Sequence, residues 1–463
     1  MKLKSGLLPA GWDNVAAAVS AAVPAATKRA VMVTVATLAP ITYALDVSEL
    51  DVSGNIGAQW REFPNAGQYN SSNNPALPNG GTGDIEQARH QFSISAEPEL
   101  GWQSEDGLHT VVLKAFGRWD SEDSERSHVD IREASWLTYG DSWEVKAGIS
   151  KVFWGVTESQ HLVDIVNQSD FVEAPDGEDK LGQPMVKLSL IRDWGLMDVF
   201  VLPGFRERTF AGEDGRFRLP LDVDRDNALY QSDDEDKHID LALRWTQTFD
   251  LYDVGVSYFK GTSRDPLFVP KFGNDLQPSV QAPAPTALAP LYVLIDQLGF
   301  DLQATLDAWL WKLETIYRTF DDDIESQFSA LGVQVEVQDY SAATGGFEYT
   351  FYGVADTDWD LGALAEYQYD SRADASLALG QNDLFVGGRL ALNDAESTEV
   401  LFGMSQDLDH MATRSILLEA ETRLGDSMKL NVEGLLFNSA DDDNLSYQFR
   451  QDDYIQLSLE YYY

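Results

Sequence analysis

From Leu50 onward the chain alternates apolar and polar residues with period two, in segments of roughly ten residues. Trp143, Val145, Ala147 and Ile149 share one parity, and Glu144, Lys146 and Ser150 the other. Ile239, Leu241, Leu243 and Trp245 oppose Asp240 and Arg244, and Leu430, Val432 and Leu436 oppose Lys429, Asn431 and Glu433. A helix would need apolar residues at i, i+3, i+4 and i+7, which these segments lack. The pattern predicts β-strands with one apolar and one polar face. Two stretches are ambiguous. Asp301–Tyr317 reads as a helix, or as two strands split at Leu306-Asp307. In 128–140, Asp130 and Arg132 fall on one parity while Glu133 and Ser135 fall on the other.

The connections between strands alternate in length. Short turns fall at Ser104–Gly107, Gly140–Ser142, Asp193–Gly195, Thr248–Asp250, Thr305–Asp307, Val354–Thr357, Asn393–Glu396 and Gly425–Ser427. Long or polar connections fall at about 64–87, 120–128, 156–183, 205–237, 263–297, 321–337, 371–381, 408–413 and 438–451. Nine long and eight short connections require eighteen strands, with sixteen the nearest alternative. Such alternation predicts an all-β, antiparallel up-and-down transmembrane barrel, with short periplasmic turns and long extracellular loops. An even count puts both ends of the barrel on the periplasmic side. Trp119, Trp143, Tyr252, Tyr258, Trp309, Tyr367, Tyr461 and Tyr463 suit interfacial aromatic girdles.

The N-terminus predicts export. Lys28-Arg29 precede a short apolar run from Ala30 to Pro40, and Thr42-Tyr43-Ala44 is a small-x-Ala cleavage pattern. Residues 1–44 are read as a signal peptide and 45–463 as the barrel. Residues 1–27 form an extended n-region or reflect an early start codon. At the other end, Ile455, Leu457, Leu459, Tyr461 and Tyr463 alternate up to a terminal aromatic. This resembles the last strand by which the barrel-assembly machinery recognises bacterial outer-membrane proteins, with Tyr461 and Tyr463 as the signal.

Composition narrows the function. There are 33 Lys+Arg against 76 Asp+Glu, a net charge of −43, which argues against nucleic acid as a partner. There is no Cys, hence no disulfide or thiolate metal site. None of the six His lies in an HExxH motif and no Gly-x-Ser-x-Gly elbow occurs, so no catalytic residue, metal or cofactor is expected and the chain is read as a non-enzyme.

Read by parity, the lumen carries ten basic and ten acidic candidates. The basic ones are Lys114, Arg118, Lys146, Lys187, Arg244, Lys312, Arg318, Arg389, Arg423 and Lys429. The acidic ones are Glu144, Asp240, Glu314, Glu348, Glu366, Asp383, Glu419, Glu421, Glu433 and Glu460. Most of the negative charge is thereby assigned to loops, such as Asp233-Asp-Glu-Asp236. Opposed charge rows across a pore would tune permeation; otherwise the charges pair with neighbours in a solvated lumen. The connection 156–183 holds Leu162, Val163, Ile165 and Val166, which need cover. It is the candidate constriction loop, with Glu158, His161, Asp164, Asn167 and Asp170 as its polar residues. The alternative is a surface loop packed on its neighbours. The Pro/Ala-rich stretch 277–290 reads as an extended outer loop, after which Leu291–Ile295 re-enters the barrel.

Lys151-Val-Phe-Trp-Gly155, followed by Asp164-Ile-Val-Asn167 and Asp170, resembles the strand-then-loop element of porin-like families, with Gln168 in place of their Pro. The whole layout resembles large bacterial porin-like barrels, the 18-stranded specific porins and alginate-export-type channels. That resemblance implies a passive channel for small hydrophilic solutes in the outer membrane, with lipid and lipopolysaccharide around it. The alternatives are a substrate-specific uptake or export channel for a carbohydrate, organic acid or apolar compound, and a non-conducting structural or adhesion barrel.

Overall fold

A computed structural model describes residues 50–70, 85–279, 282–321, 323–329, 333, 335–373, 380–440 and 445–463. The proposed signal peptide and its cleavage site at Ala44 lie outside the described residues. Eighteen strands of the described residues form one antiparallel sheet. They are β1 (Asp51–Glu62), β2 (His90–Gln103), β3 (His109–Asp120), β4 (Val129–Gly140), β5 (Trp143–Ser150), β6 (Gln183–Arg192), β7 (Gly195–Pro203), β8 (Ile239–Phe249) and β9 (Tyr252–Thr262). The second half comprises β10 (Leu294–Leu306), β11 (Trp309–Phe320), β12 (Tyr340–Phe351), β13 (Asp360–Asp370), β14 (Asn382–Ala391), β15 (Glu399–Asp407), β16 (Arg414–Leu424), β17 (Met428–Asn438) and β18 (Tyr454–Tyr462). Each strand pairs with the next in sequence, and β18 pairs back onto β1 from Asn55↔Tyr462 to Glu62↔Ile455. No edge is left open.

The ambiguous stretch 301–317 is indeed two strands, joined by a tight turn at Asp307-Ala308 with Asp307 in the left-handed region (φ 55°). The mixed parity of 128–140 has a physical cause. β3 and β4 pair Lys114↔Glu133 and then Ala115↔Ile131, so Arg132 is the extra residue of a β-bulge. The bulge resets the alternation, and Asp130, Arg132, Glu133 and Ser135 all point inward.

Outward positions are apolar around the whole circumference. Every strand exposes at least one large hydrophobic side chain, and on β18 Ile455, Leu457 and Leu459 are 61%, 49% and 41% exposed. The eight aromatics expected in the girdles are all exposed. In water such a belt would aggregate. In lipid it is the solvated surface, and closure satisfies every ladder hydrogen bond.

The long connections carry structure of their own. Residues 267–271, 287–292 and 229–230 form a three-stranded sheet, so the end of the Pro/Ala-rich stretch is strand and not extended loop. It packs inward, with Leu291, Tyr292, Val293 and Ile295 almost fully buried. A short helix, Ile324–Ser329, buries Ile324 and Phe328 in the same interior cluster.

Leu243 lies near the middle of β8 and faces lipid. Leu243→Arg is expected to lower stability by about 2–4 kcal/mol, read by guanidinium unfolding in lipid vesicles. A change below 0.5 kcal/mol would mean that this face does not meet hydrocarbon.

Candidate functional site

The site is built by the connection 151–182, which leaves β5 and turns into the lumen. Its base is held by Asn167, whose Nδ2 donates to the carbonyls of Ser150 (3.0 Å) and Leu181 (2.8 Å) while its Oδ1 accepts from Val152 N (2.9 Å). Asp170 braces the far side, accepting from Arg132 (2.6 Å) and the Thr209 hydroxyl (2.8 Å). Asp164 accepts from Trp154 N and lies 3.5 Å from Lys180 Nζ.

The tip then reaches across the barrel. Glu314 on β11 is fully buried and accepts from Val156 N (2.7 Å), Thr157 N (3.0 Å), Thr157 Oγ1 (2.7 Å) and Val163 N (3.2 Å). Glu366 on β13 accepts from Glu158 N (2.9 Å), Ser159 N (2.8 Å) and Ser159 Oγ (2.7 Å). Glu158 itself pairs with Arg389 on β14 (2.6 Å) and Lys312 on β11 (3.5 Å). Strand β14 is nine places from β5 in a ring of eighteen, hence on the opposite wall. The apolar face of the loop is covered as well. Trp154, Val163, Ile165 and Val166 pack against inward residues of the wall, including Phe200, Leu202, Phe259, Ile295 and Ile316.

Most of the remaining candidates are also paired. Lys114 bridges Glu97 (3.5 Å) and Glu99 (3.0 Å), Lys146 bridges Glu133 (2.7 Å), and Lys187 bridges Glu144 (3.3 Å). Arg118 grips Glu173 at 2.8 Å. Asp240 accepts from Arg264 (2.8 Å) and Thr262 N (2.9 Å), with His238 at 2.9 Å. Arg244 pairs with Asp301 (2.7 Å) and lies over the Trp154 ring, and Arg318 bonds Gln297 (2.8 Å) and Asp265 (3.1 Å). Glu433 accepts from Gln456 (2.8 Å) and the Tyr454 hydroxyl. Glu419 lines the central cavity, and Arg423 is exposed near the short-turn rim. Charges read as opposed rows across a pore are therefore largely neutralised where they stand.

A second crossing element has no counterpart in the sequence reading. The connection 204–238 runs from β7 to the far wall, where Arg216 pairs with Asp452 (2.7 Å) and Phe217 packs among Phe63, Leu435, Phe449 and Tyr454. Among its signals was Phe217-Arg-Leu in an otherwise acidic loop; for 151–182 it was the run Val199–Leu202, apolar on both parities. Between the two crossing segments and the β11–β17 wall lies a cavity of about 1480 Å³.

His161 sits between two carboxylates, with Glu178 at 3.4 Å and Glu314 at 3.8 Å. Burial disfavours its charged form, but the two carboxylates outweigh this and push its pKa up to about 10. The imidazolium thus helps hold the loop to the wall at neutral pH.

No protein-family model and no curated protein matches the chain. Solved structures of outer-membrane barrels do. One is Wzi of Escherichia coli, titled an outer-membrane protein involved in group 1 capsule assembly and a carbohydrate-binding β-barrel (TM-score 0.47, 11% identity, 90% of this chain and 85% of that one). Others are a porin of Rh. blastica (0.39, 12%, 89% and 100%) and OmpT of Vibrio cholerae (0.39, 9%, 89% and 97%). Likenesses this distant carry no argument about substrate. The closed ring of paired strands and its continuous apolar belt decide the setting on physical grounds. The chain is an outer-membrane β-barrel.

Two outcomes follow from the loop anchors. Glu314→Ala strands three buried loop N–H groups, and at about 1–3 kcal/mol each it should rank among the most destabilising single changes, measured by chemical unfolding. Because the folded pKa of His161 lies above its unfolded value near 6.5, its stabilisation is complete below about pH 6.5 and is lost as pH rises through about 10. His161→Asn should flatten the stability profile between those limits; an unchanged slope would show that His161 is not coupled to the loop.

Proposed function

We propose that this barrel is a porin-type channel for passive diffusion of small hydrophilic solutes, and that 151–182 is its constriction. The observation that carries this is the half-solvated lumen beneath the crossing loop. There Lys114, Lys146, Lys187 and Lys429 pair with Glu97, Glu99, Glu133, Glu144 and Glu421, all with side chains 17–51% exposed. Such a vestibule lowers the barrier for a polar solute, because water and charged side chains replace hydrocarbon along its path. The crossing loop then sets the size limit, and the charges of Glu158, Lys312 and Arg389 flank its tip. His161, Asp164, Asn167 and Asp170 fix the loop's shape. Lipid and lipopolysaccharide surround the barrel. The terminal strand, with Tyr461 exposed and Tyr463 N bonded to Gly54 O (3.1 Å) across the seam, is the element the assembly machinery reads.

A second reading, a barrel held shut and opened by a signal or substrate, is favoured by the second crossing segment and its Arg216–Asp452 pin.

Single-channel current of the refolded protein in a planar bilayer separates the two. Discrete ohmic steps are expected, larger after deletion of 160–178. Steps of unchanged size in the deletion would remove the constriction role, and a folded barrel passing no current would move the weight to the closed reading.

A further inference from the structure

The inner wall formed by β14–β17 differs from the rest of the lumen. Strand register stacks its inward residues in rows. Asp383 and Asp407 form the row nearest the long loops. Next come Phe385, Ser405, Ser415 and Phe437, then Gly387, Gly403, Leu417 and Leu435. Below them stand Arg389, Leu401, Glu419 and Glu433. Here Phe385 and Leu401 face the central cavity and belong to neither interior cluster. The wall is thinned to receive the Phe385 ring: a Cβ on Gly403 would fall 2.3 Å from Phe385 Cζ.

The carboxylate above this patch is unusual. Asp383 is only 9% exposed, lines the cavity, and its Oδ1 has no hydrogen-bond partner among the described residues. No described cation pairs with it. Two nearby cations are engaged elsewhere, Arg372 with Asp370 (2.5 Å) and Arg389 with Glu158 (2.6 Å). Asp407, its register neighbour, adds a second negative charge. Backbone N–H groups of Gly380 and Asn382 reach this carboxylate, but a buried carboxylate oxygen left without a partner is costly, and an incoming cation would relieve that cost. Asp383 and Phe385 are two residues apart on one face, about 7 Å along the strand.

We propose that this part of the cavity binds a small organic cation: its ammonium at Asp383 and Asp407, its apolar or aromatic body on Phe385, Leu401 and Leu417. The site deepens the channel reading by naming a solute class, and rests on it for access from solution.

The test is isothermal titration calorimetry of the full barrel folded in non-ionic micelles, with protein-free micelles subtracted. The probes are benzylammonium, benzyl alcohol and benzoate, which share a ring and differ in charge. Benzylammonium is expected to bind at least tenfold more tightly than the other two. Asp383→Asn should abolish that preference, and Phe385→Ala should weaken benzylammonium several-fold, each variant being checked for heat-modifiable folding. Equal binding of the three probes, or a preference untouched by Asp383→Asn, would overturn the site. So would calcium binding at Asp383 with no binding of the amine, which would make it a metal site. Because binding is read without conduction, a barrel that conducts but ignores the amine loses only this site. A barrel that binds the amine but passes no current loses only the open-channel reading.

Discussion

Everything in this molecule depends on the rule that a backbone in hydrocarbon must satisfy its own hydrogen bonds. A sheet meets that rule only by closing, and closure is made by the β1–β18 pairing over Asn55–Glu62 and Ile455–Tyr462. Once the ring is shut, the period-two alternation has only two destinations, lipid and lumen. The apolar parity goes out because that is its solvent. The other parity is freed from any need to pack against a second sheet, and its contents are decided by what enters the barrel from the loops.

What enters is backbone, and backbone needs acceptors. The tip of the 151–182 connection is not part of any ladder, so its N–H groups must find side chains. Glu314 and Glu366 between them accept five of these N–H groups and two hydroxyls. A carboxylate serves here better than a neutral acceptor, since each oxygen takes more than one donor and charge-assisted bonds are the stronger kind. Its own burial is offset by those donors and, at Glu314, by His161. Such an anchor contributes mostly to position: replacing the pair of loop and acid by apolar groups could leave stability little changed, whereas removing the acid alone leaves donors stranded. The lumenal acids are thus first a scaffold for the loop and only then a field acting on a solute.

The fold was legible in this sequence because two independent periodicities agreed. The residue-level alternation marked the strands, and the alternation of connection lengths counted them, even through the ambiguous 301–317. The bulge at Arg132 showed as a conflict of parity between Asp130 and Glu133, a signal that needed only the right interpretation. Side-chain partners were less legible. Parity says that Glu314 faces inward but not that four donors of a distant loop converge on it, since that contact spans some 150 residues of sequence. The crossing by 204–238 was hidden for the same reason. Its anchor, Arg216 with Asp452, joins two loops that no local pattern connects. The small sheet of 229–230, 267–271 and 287–292 also escaped, because two Pro within its longer strands mask the strand signal.

The net charge of −43 is resolved by where the cations go. Arg61, Arg126, Arg132, Arg216, Arg218, Arg264 and Arg318 are all at most 6% exposed, and each is held inside the barrel or its loops by hydrogen bonds to acids, amides or carbonyls. Arginine suits this role because its planar fork makes several directed bonds at once. Drawing cations inward leaves the rim short of them, and acidic runs such as Asp233-Asp-Glu-Asp236 stand exposed there. An acidic rim raises the local concentration of cations over roughly 8 Å at physiological salt. A neutralised lumen below does not hold them in place. One break in that neutrality, at Asp383 beside Phe385, lies just inside the edge where such cations would arrive, so a cation with an apolar body gains there what a bare ion does not.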